Sequence, residues 1–238
     1  TGAVSNAASS AGAYAGGLAG LVLDGSIGNA YATGGVSGAA VKGGLVGGVD
    51  ALDPALPPSI TASFWLDDGS GTDNGLGTRL TLAQFQDLST FADAGWDIDD
   101  AGGTGKAWRI YEGHTGPLLR SFLTSVTVTA DDASKTYDGQ SYQLPFTYSR
   151  SDVSAVLQGT LGSDLTDADA GTYTIANGLY SGQTGYDITV QGGTLTIGKR
   201  SITVAADDQS RVYGDADPAF TYTVGGRGFV GGATLAGA

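Results

Sequence analysis

His114, in the turn Glu112-Gly113-His114-Thr115-Gly116, is the one histidine in the chain. Nucleophilic catalysis needs a nucleophile, a base and an orienting group. Ser and Thr are plentiful, but no Gly-x-Ser-x-Gly elbow accompanies them, so His114 reads as a surface turn residue. A chain with no Cys and a single His cannot build a Cys–His zinc site. Paired carboxylates could cleave a glycoside. The candidates are Asp67 with Asp68, Asp97 with Asp99 and Asp100, and Asp164 with Asp167 and Asp169. All lie in turn-like sequence, and Lys42 is the sole cation in residues 1–78, so no catalytic residue is assigned.

The Asp-rich loops LDDGSGTDNG (66–75) and SDLTDADAG (163–171) also offer hard oxygen ligands for calcium. Neither fits the twelve-residue loop ending in Glu. Structural turns are the preferred reading and calcium the open alternative, so no cofactor and no metal ligand is assigned. The run Asp169-Ala170-Gly171-Thr172-Tyr173 has the form of a tyrosine corner, in which a Tyr hydroxyl caps backbone groups at a sandwich edge. No Gly-x-Gly-x-x-Gly falls between a strand and a helix, so a phosphate cradle is unsupported. Trp65, Trp96 and Trp108 fall in one stretch, with Phe64, Phe85, Phe91 and Phe122. They suit core and cap packing, with a sugar-binding aromatic platform as the alternative.

These groups must be positioned by strands and turns. Of 24 acidic residues only Glu112 is Glu, and Asp favours turns and loop ends. Abundant Gly, Thr, Val and Tyr argue for short strands. The net charge of −13 makes phosphate backbones and anionic lipid poor partners, so neither nucleic acid binding nor membrane insertion is expected. No apolar run reaches the length of a membrane span. With no Met and no signal peptide, the chain reads as an excerpt of a longer polypeptide.

Two internal repeats organise the chain. Gly16-Gly17-Leu18-Ala19-Gly20 returns as Gly43-Gly44-Leu45-Val46-Gly47, a shift of 27 residues, and Thr1-Gly2-Ala3-Val4-Ser5 returns as Thr33-Gly34-Gly35-Val36-Ser37, a shift of 32. Ser26-Ile27 with Ala30-Tyr31 returns as Ser59-Ile60 with Ser63-Phe64. A period near 30 with slack predicts stacked coils sharing one narrow core. Asn29 reads as a turn residue, with an inward ladder rung as the alternative. The elements GGLAG, SIGNAYATGGVSG and GGLVG resemble the GLUG repeat across roughly residues 1–75. The resemblance implies a right-handed parallel β-helix in a large secreted bacterial surface protein similar to filamentous haemagglutinins. The Pro-rich insertion Val49–Ser59 departs from the pattern and is expected to bulge out as a loop.

The second repeat pairs SVTVTADDASKTYDG from Ser125 with SITVAADDQSRVYGD from Ser201, a period of 76. Its alternation is that of half-buried strands. Tyr186–Val190 and Thr194–Ile197 around Gln191-Gly192-Gly193 read as a hairpin. The motifs Ala130-Asp131-Asp132 with Tyr137-Asp138-Gly139, and Ala206-Asp207-Asp208 with Gly214-Asp215, resemble the bacterial Ig-like modules called YDG and MBG. Between the repeats, Thr81-Leu82-Ala83-Gln84 fits a capping box and predicts one short helix near 82–88. This stretch is similar to the segment that often closes a GLUG array.

The resulting expectation is an all-β chain: GLUG-type β-helix coils over 1–75 and an aromatic cap over 76–123. An Ig-like β-sandwich over 124–199 and an incomplete second module over 200–238 follow. The resemblances imply a non-enzymatic adhesin segment at the Gram-negative cell surface, a stiff stalk and display surface for attachment or biofilm. Two-partner secretion would make an outer-membrane transporter a partner during export. The receptor, a host-cell or bacterial surface glycan or protein, is unknown from the sequence.

Overall fold

The computed structural model describes residues 3–7, 12–165 and 169–235. Contacts divide the chain into two compact units. The first is Thr1–Ser125 with Tyr180–Ile188, and the second is Val126–Leu179 with Thr189–Ala238.

The first unit begins with short strands: β1 (Val4–Ser5), β2 (Tyr14–Gly16), β3 (Ala19–Val22), β4 (Ser26–Gly28), β5 (Tyr31–Ala32) and β6 (Val36–Ser37). A second round follows as β7 (Val41–Gly43), β8 (Val46–Val49), β9 (Ser59–Thr61), β10 (Phe64–Leu66) and β11 (Thr78–Leu80). Pairing between the rounds is parallel and places like on like: Val4 on Val36, Gly16 on Gly43, Ala19 on Val46, Ile27 on Ile60 and Tyr31 on Phe64. This is the pairing that stacked coils require. The longer shift at β4–β9 comes from the loop 50–58, where Leu52 and Leu56 are exposed. β10 then pairs in parallel with β11 after a much shorter connection.

The interior between the rungs is narrow. Ala15, Val36, Leu45 and Val46 are buried, with Ala32 and Trp65 packed beside them. Gly44 is required by close approach, since a Cβ there would sit 2.0 Å from the Trp65 ring.

Beyond β11 the chain forms two helices, α1 (Leu82–Phe85) and α2 (Leu88–Ala92), where the spacing predicted one. The Thr81–Gln84 capping box starts the first. Asp87 breaks the run and starts the second, its carboxylate accepting the Ser89 N–H at 2.8 Å. Strands β12 (Ile98–Asp99), β13 (Trp108–Arg109) and β14 (Leu118–Leu119) follow, with β13 parallel to β12 and antiparallel to β14. Phe64 and Leu80 from the rungs join Phe85, Phe91, Trp96, Ile98 and Ile110 in one core.

The second unit holds β15 (Thr124–Ala130), β16 (Ala133–Thr136), β17 (Tyr148–Arg150), β18 (Gln158–Gly159), β19 (Gly162–Ser163), β20 (Gly171–Ala176), β21 (Leu179–Tyr180), β22 (Tyr186–Gln191) and β23 (Thr194–Gly198), some of which run on into the first unit. One sheet has the order β17-β15-β22 and another β16-β23-β20-β19. Val126, Val128 and Ala130 alternate inward on β15, and Leu195 and Ile197 do so on β23. The expected hairpin is corrected: β22 and β23 lie in different sheets. Gly192 and Gly193 both take positive φ, 65° and 82°, and carry the chain from one sheet to the other instead of folding it back.

The second copy of the repeat supplies β24 (Ile202–Ala206) and β25 (Tyr222–Gly226). Ala206 pairs with Tyr222 as Ala130 pairs with Tyr148. The motif Asp explains itself in both copies. Thr147 donates its hydroxyl to Asp131 at 2.7 Å, and Thr221 donates to Asp207 at 2.7 Å. Burial differs, for Val128 is 0% exposed and Val204 46%.

Replacing Gly44 with Ala drives a methyl into the Trp65 ring, and is expected to lower the unfolding free energy by about 1–3 kcal/mol. Gly105→Ala, where nothing lies within 4 Å, should change it by less than about 0.5 kcal/mol. Urea titration of the two variants checks the pair.

Candidate functional site

The stretch richest in chemical groups is the part of the first unit that follows β11. On β13, successive side chains point to opposite faces, so Trp108 and Arg109 part company. Trp108 is half-buried, its ring 4.8 Å from Trp96 and 6.0 Å from Tyr31. Arg109 is fully buried. Its guanidinium lies over the Tyr111 ring, 4.3 Å from the centroid, and its Nε is 3.9 Å from Asp187. None of its three nitrogens makes a hydrogen bond, so ion pairing and the aromatic face carry its charge.

Arg120 links the carboxylates. It lies 2.6 Å from Asp187 and 2.7 Å from Asp99, and its Nε donates to the Lys106 carbonyl at 2.9 Å. Asp187 also accepts the Gly103 N–H at 3.1 Å. The Tyr111 hydroxyl donates to the Tyr186 carbonyl at 2.6 Å and accepts the Ile188 N–H at 3.1 Å. Tyr180–Ile188 is therefore an integral part of the first unit. Sequence reasoning missed Arg109, Arg120 and Asp187. The available signal was two arginines inside an aromatic stretch of a chain with 11 basic residues.

Of the aromatics singled out from sequence, Phe64, Phe85, Phe91 and Trp96 share one core with Trp108 against it, while Trp65 packs in the other cluster. Phe122, expected to join the core or cap packing, is instead exposed. The acidic candidates are spread over separate stretches of the chain. Trp65 and Trp96 are buried, and the Trp96 indole donates to the Ala62 carbonyl at 2.8 Å. His114 is exposed, its ring stacked 4.1 Å from Tyr180. Asp67 and Asp68 hold turns by accepting the Gly69 and Ser70 N–H groups, and Asp67 pairs with Arg79. Hydrogen bonding, from Arg79 to Asp67 and from Ser70 to Asp68, keeps both carboxyls below the usual range. Lys106 does the same to Asp97. A glycosidase acid needs the opposite shift. Asp99 spends its oxygens on Arg120 and Thr104, and Asp100 is exposed. Asp164 accepts the Thr174 N–H at 2.8 Å. Asp167 lies outside the described residues. The Tyr173 hydroxyl donates to the Asp169 carbonyl at 3.0 Å, as a tyrosine corner does.

The loop 66–75 puts its polar groups to structural use. Asn74 donates to the carbonyls of Val46 and Gly47 at 2.8 and 3.0 Å, standing in for a further strand on β8. Among the described residues no group of three or more His, Asp or Glu is placed to hold a metal ion.

Residues 126–196 and 202–238 match the family model of the MBG domain (YGX type). A protein described as a Gly-rich membrane protein of Evansella cellulosilytica is 40% identical over 93 residues, which is 38% of this chain and 10% of that protein. The chain thus spans a small part of that relative. No solved structure matches the chain. Among the described residues no helix is long and apolar enough to cross a membrane. The C-terminal half is therefore similar to a surface-protein module of the MBG kind, a kind whose members are not enzymes.

Asp187→Ala leaves two arginines without their shared buried anion, and is expected to cost about 3–5 kcal/mol. Arg109→Met, which removes a buried cation lacking hydrogen bonds, should cost clearly less, as urea unfolding of both will show. Burial pushes the Tyr31 and Tyr111 phenols up. A folded pKa above the unfolded value near ~10 means full stabilisation below about pH 10, lost as pH rises past it. Melting curves from pH 8 to 11 should fall steeply above ~10, and less so for Tyr31→Phe.

Proposed function

We propose that this chain is a segment of a large secreted bacterial surface adhesin, serving as stiff stalk and display surface. The observation that carries the reading is the tandem match of residues 126–196 and 202–238 to the MBG domain. The repeated Asp–Thr hydrogen bond supports it, because two copies built on one pattern suit a protein that gains length by duplication.

In this reading residues 1–75 are coils at the end of a right-handed parallel β-helix, and 76–123 close it. Residues 124–199 are one Ig-like sandwich and 200–238 part of another. The in-register parallel rungs support the coil reading. The open core at a coil end needs a cover, and the aromatic segment is suited to that. Lack of Cys suits export as an unfolded chain through an outer-membrane transporter in a two-partner system. The setting would be the Gram-negative outer surface, in attachment or biofilm formation, with a glycan or protein as the receptor.

Antibodies against residues 126–235 should label intact cells of the source organism, and protease added outside should remove the label. Replacing that stretch by unrelated Ig-like modules of equal length should preserve attachment to surfaces. Failure of labelling would overturn the surface assignment, and loss of attachment after replacement would overturn the stalk role.

A further inference from the structure

The first unit carries a cleft of about 650 Å³ that none of the preceding roles uses. Leu18, between β2 and β3, and Tyr31 of β5 line it, together with Trp108 of β13 and with Asn29, Gln183 and Thr184. Its size falls in the range of roughly 300–1,000 Å³ usual for ligand pockets.

Three features define what it can hold. First, no residue lining it is charged, in a chain of net charge −13 with 35 charged residues. Phosphates, acidic sugars and cationic peptides would find no counter-charge there. Second, the lining combines apolar surface with amides and a hydroxyl. Leu18 is 47% exposed, and the half-buried Trp108 ring is held in place by Trp96. The Gln183 amide is positioned by the Leu119 N–H, which donates to its Oε1 at 3.3 Å. The Tyr31 hydroxyl is already committed, donating to the Pro117 carbonyl at 2.7 Å, so its ring rather than its hydroxyl faces a ligand's demands. Third, backbone strain collects here. Among the described residues three non-glycine positions have positive φ, and two of them, Asn29 at 51° and Thr184 at 63°, line the cleft. For a β-branched Thr this conformation is a genuine outlier, and such strain gathers at ligand clamps.

We propose that this cleft binds a neutral oligosaccharide. A sugar ring presents an apolar C–H face that suits an indole or leucine surface. Its equatorial hydroxyls suit amide and hydroxyl partners, and it carries no charge to be left unpaired. Trp108, Tyr31 and Gln183 are each held by a contact of their own before any ligand arrives, which limits the ordering cost of binding. The proposal deepens the surface-adhesin reading by naming a ligand class. It rests on that reading for its biological setting but not for its chemistry.

The test is titration of the whole chain with neutral probes (cellohexaose, xylohexaose and maltohexaose) and anionic ones (polygalacturonate and heparin), followed by Trp fluorescence and calorimetry. At least one neutral probe should bind, and the anionic probes should not. Gln183→Ala and Leu18→Glu change exposed side chains and should leave the chain folded, with at most a small drop in melting temperature for Gln183→Ala, which loses the Leu119 N–H bond. Each should weaken binding by about tenfold or more. Binding of anionic probes alone, binding indifferent to both substitutions, or no binding of any neutral probe would overturn the proposal. Because a stalk needs no ligand, those outcomes would leave cell-surface labelling and stalk replacement to be judged separately.

Discussion

A strand that stacks in parallel on a copy of itself must place each side chain on its own equivalent. That constraint governs the first unit. Ile27 sits over Ile60, Tyr31 over Phe64 and Gly16 over Gly43. Large residues can recur at few positions before the interior overfills, which is why the inward set is Ala, Val and Leu with one Trp. Glycine enters where backbone or ring must come close, as Gly43 does against the Val46 carbonyl and Gly44 against Trp65. The aromatic core follows from the same constraint. Tyr31 and Phe64 pair as large rings, and the Phe and Trp side chains after β11 pack on them.

The same rule explains what could be read from the sequence. Like-on-like stacking makes the repeat visible, so the 27- and 32-residue shifts name pairs that do hydrogen bond. The 76-residue period likewise marks strands that pair identically in both copies, down to the Thr hydroxyl on the motif Asp. The cap of α1 was legible because a capping box is local chemistry.

What was not legible fails for physical reasons. Gly192-Gly193 serves a hairpin turn and a passage between sheets equally well, because both need left-handed backbone. Asp-rich loops look alike whether their carboxylates face a cation or their own backbone N–H groups, and here Asp67, Asp68 and Asp73 face the backbone. The turn reading of Asn29 fits its φ of 51°, which sequence composition could not supply. The network of Arg109, Arg120 and Asp187 had no local signature, since its partners come from distant parts of the chain.

That distance has an energetic consequence. The Tyr111 hydroxyl and the Ile188 N–H that it accepts are 77 residues apart. Closing so long a loop is less costly than its length suggests, because each doubling adds only about 0.6 kcal/mol. Hydrogen bonds to charged groups return roughly 1.5–3 kcal/mol each, and Asp187 accepts one from Gly103 besides its ion pairs with the two arginines. A few such contacts therefore offset the closure cost, while leaving Arg109 buried without them would not be tolerated. The arginines thus make the first unit depend on Asp187. Residues 180–188, which lie within the later repeat, therefore belong to the packing of the first unit.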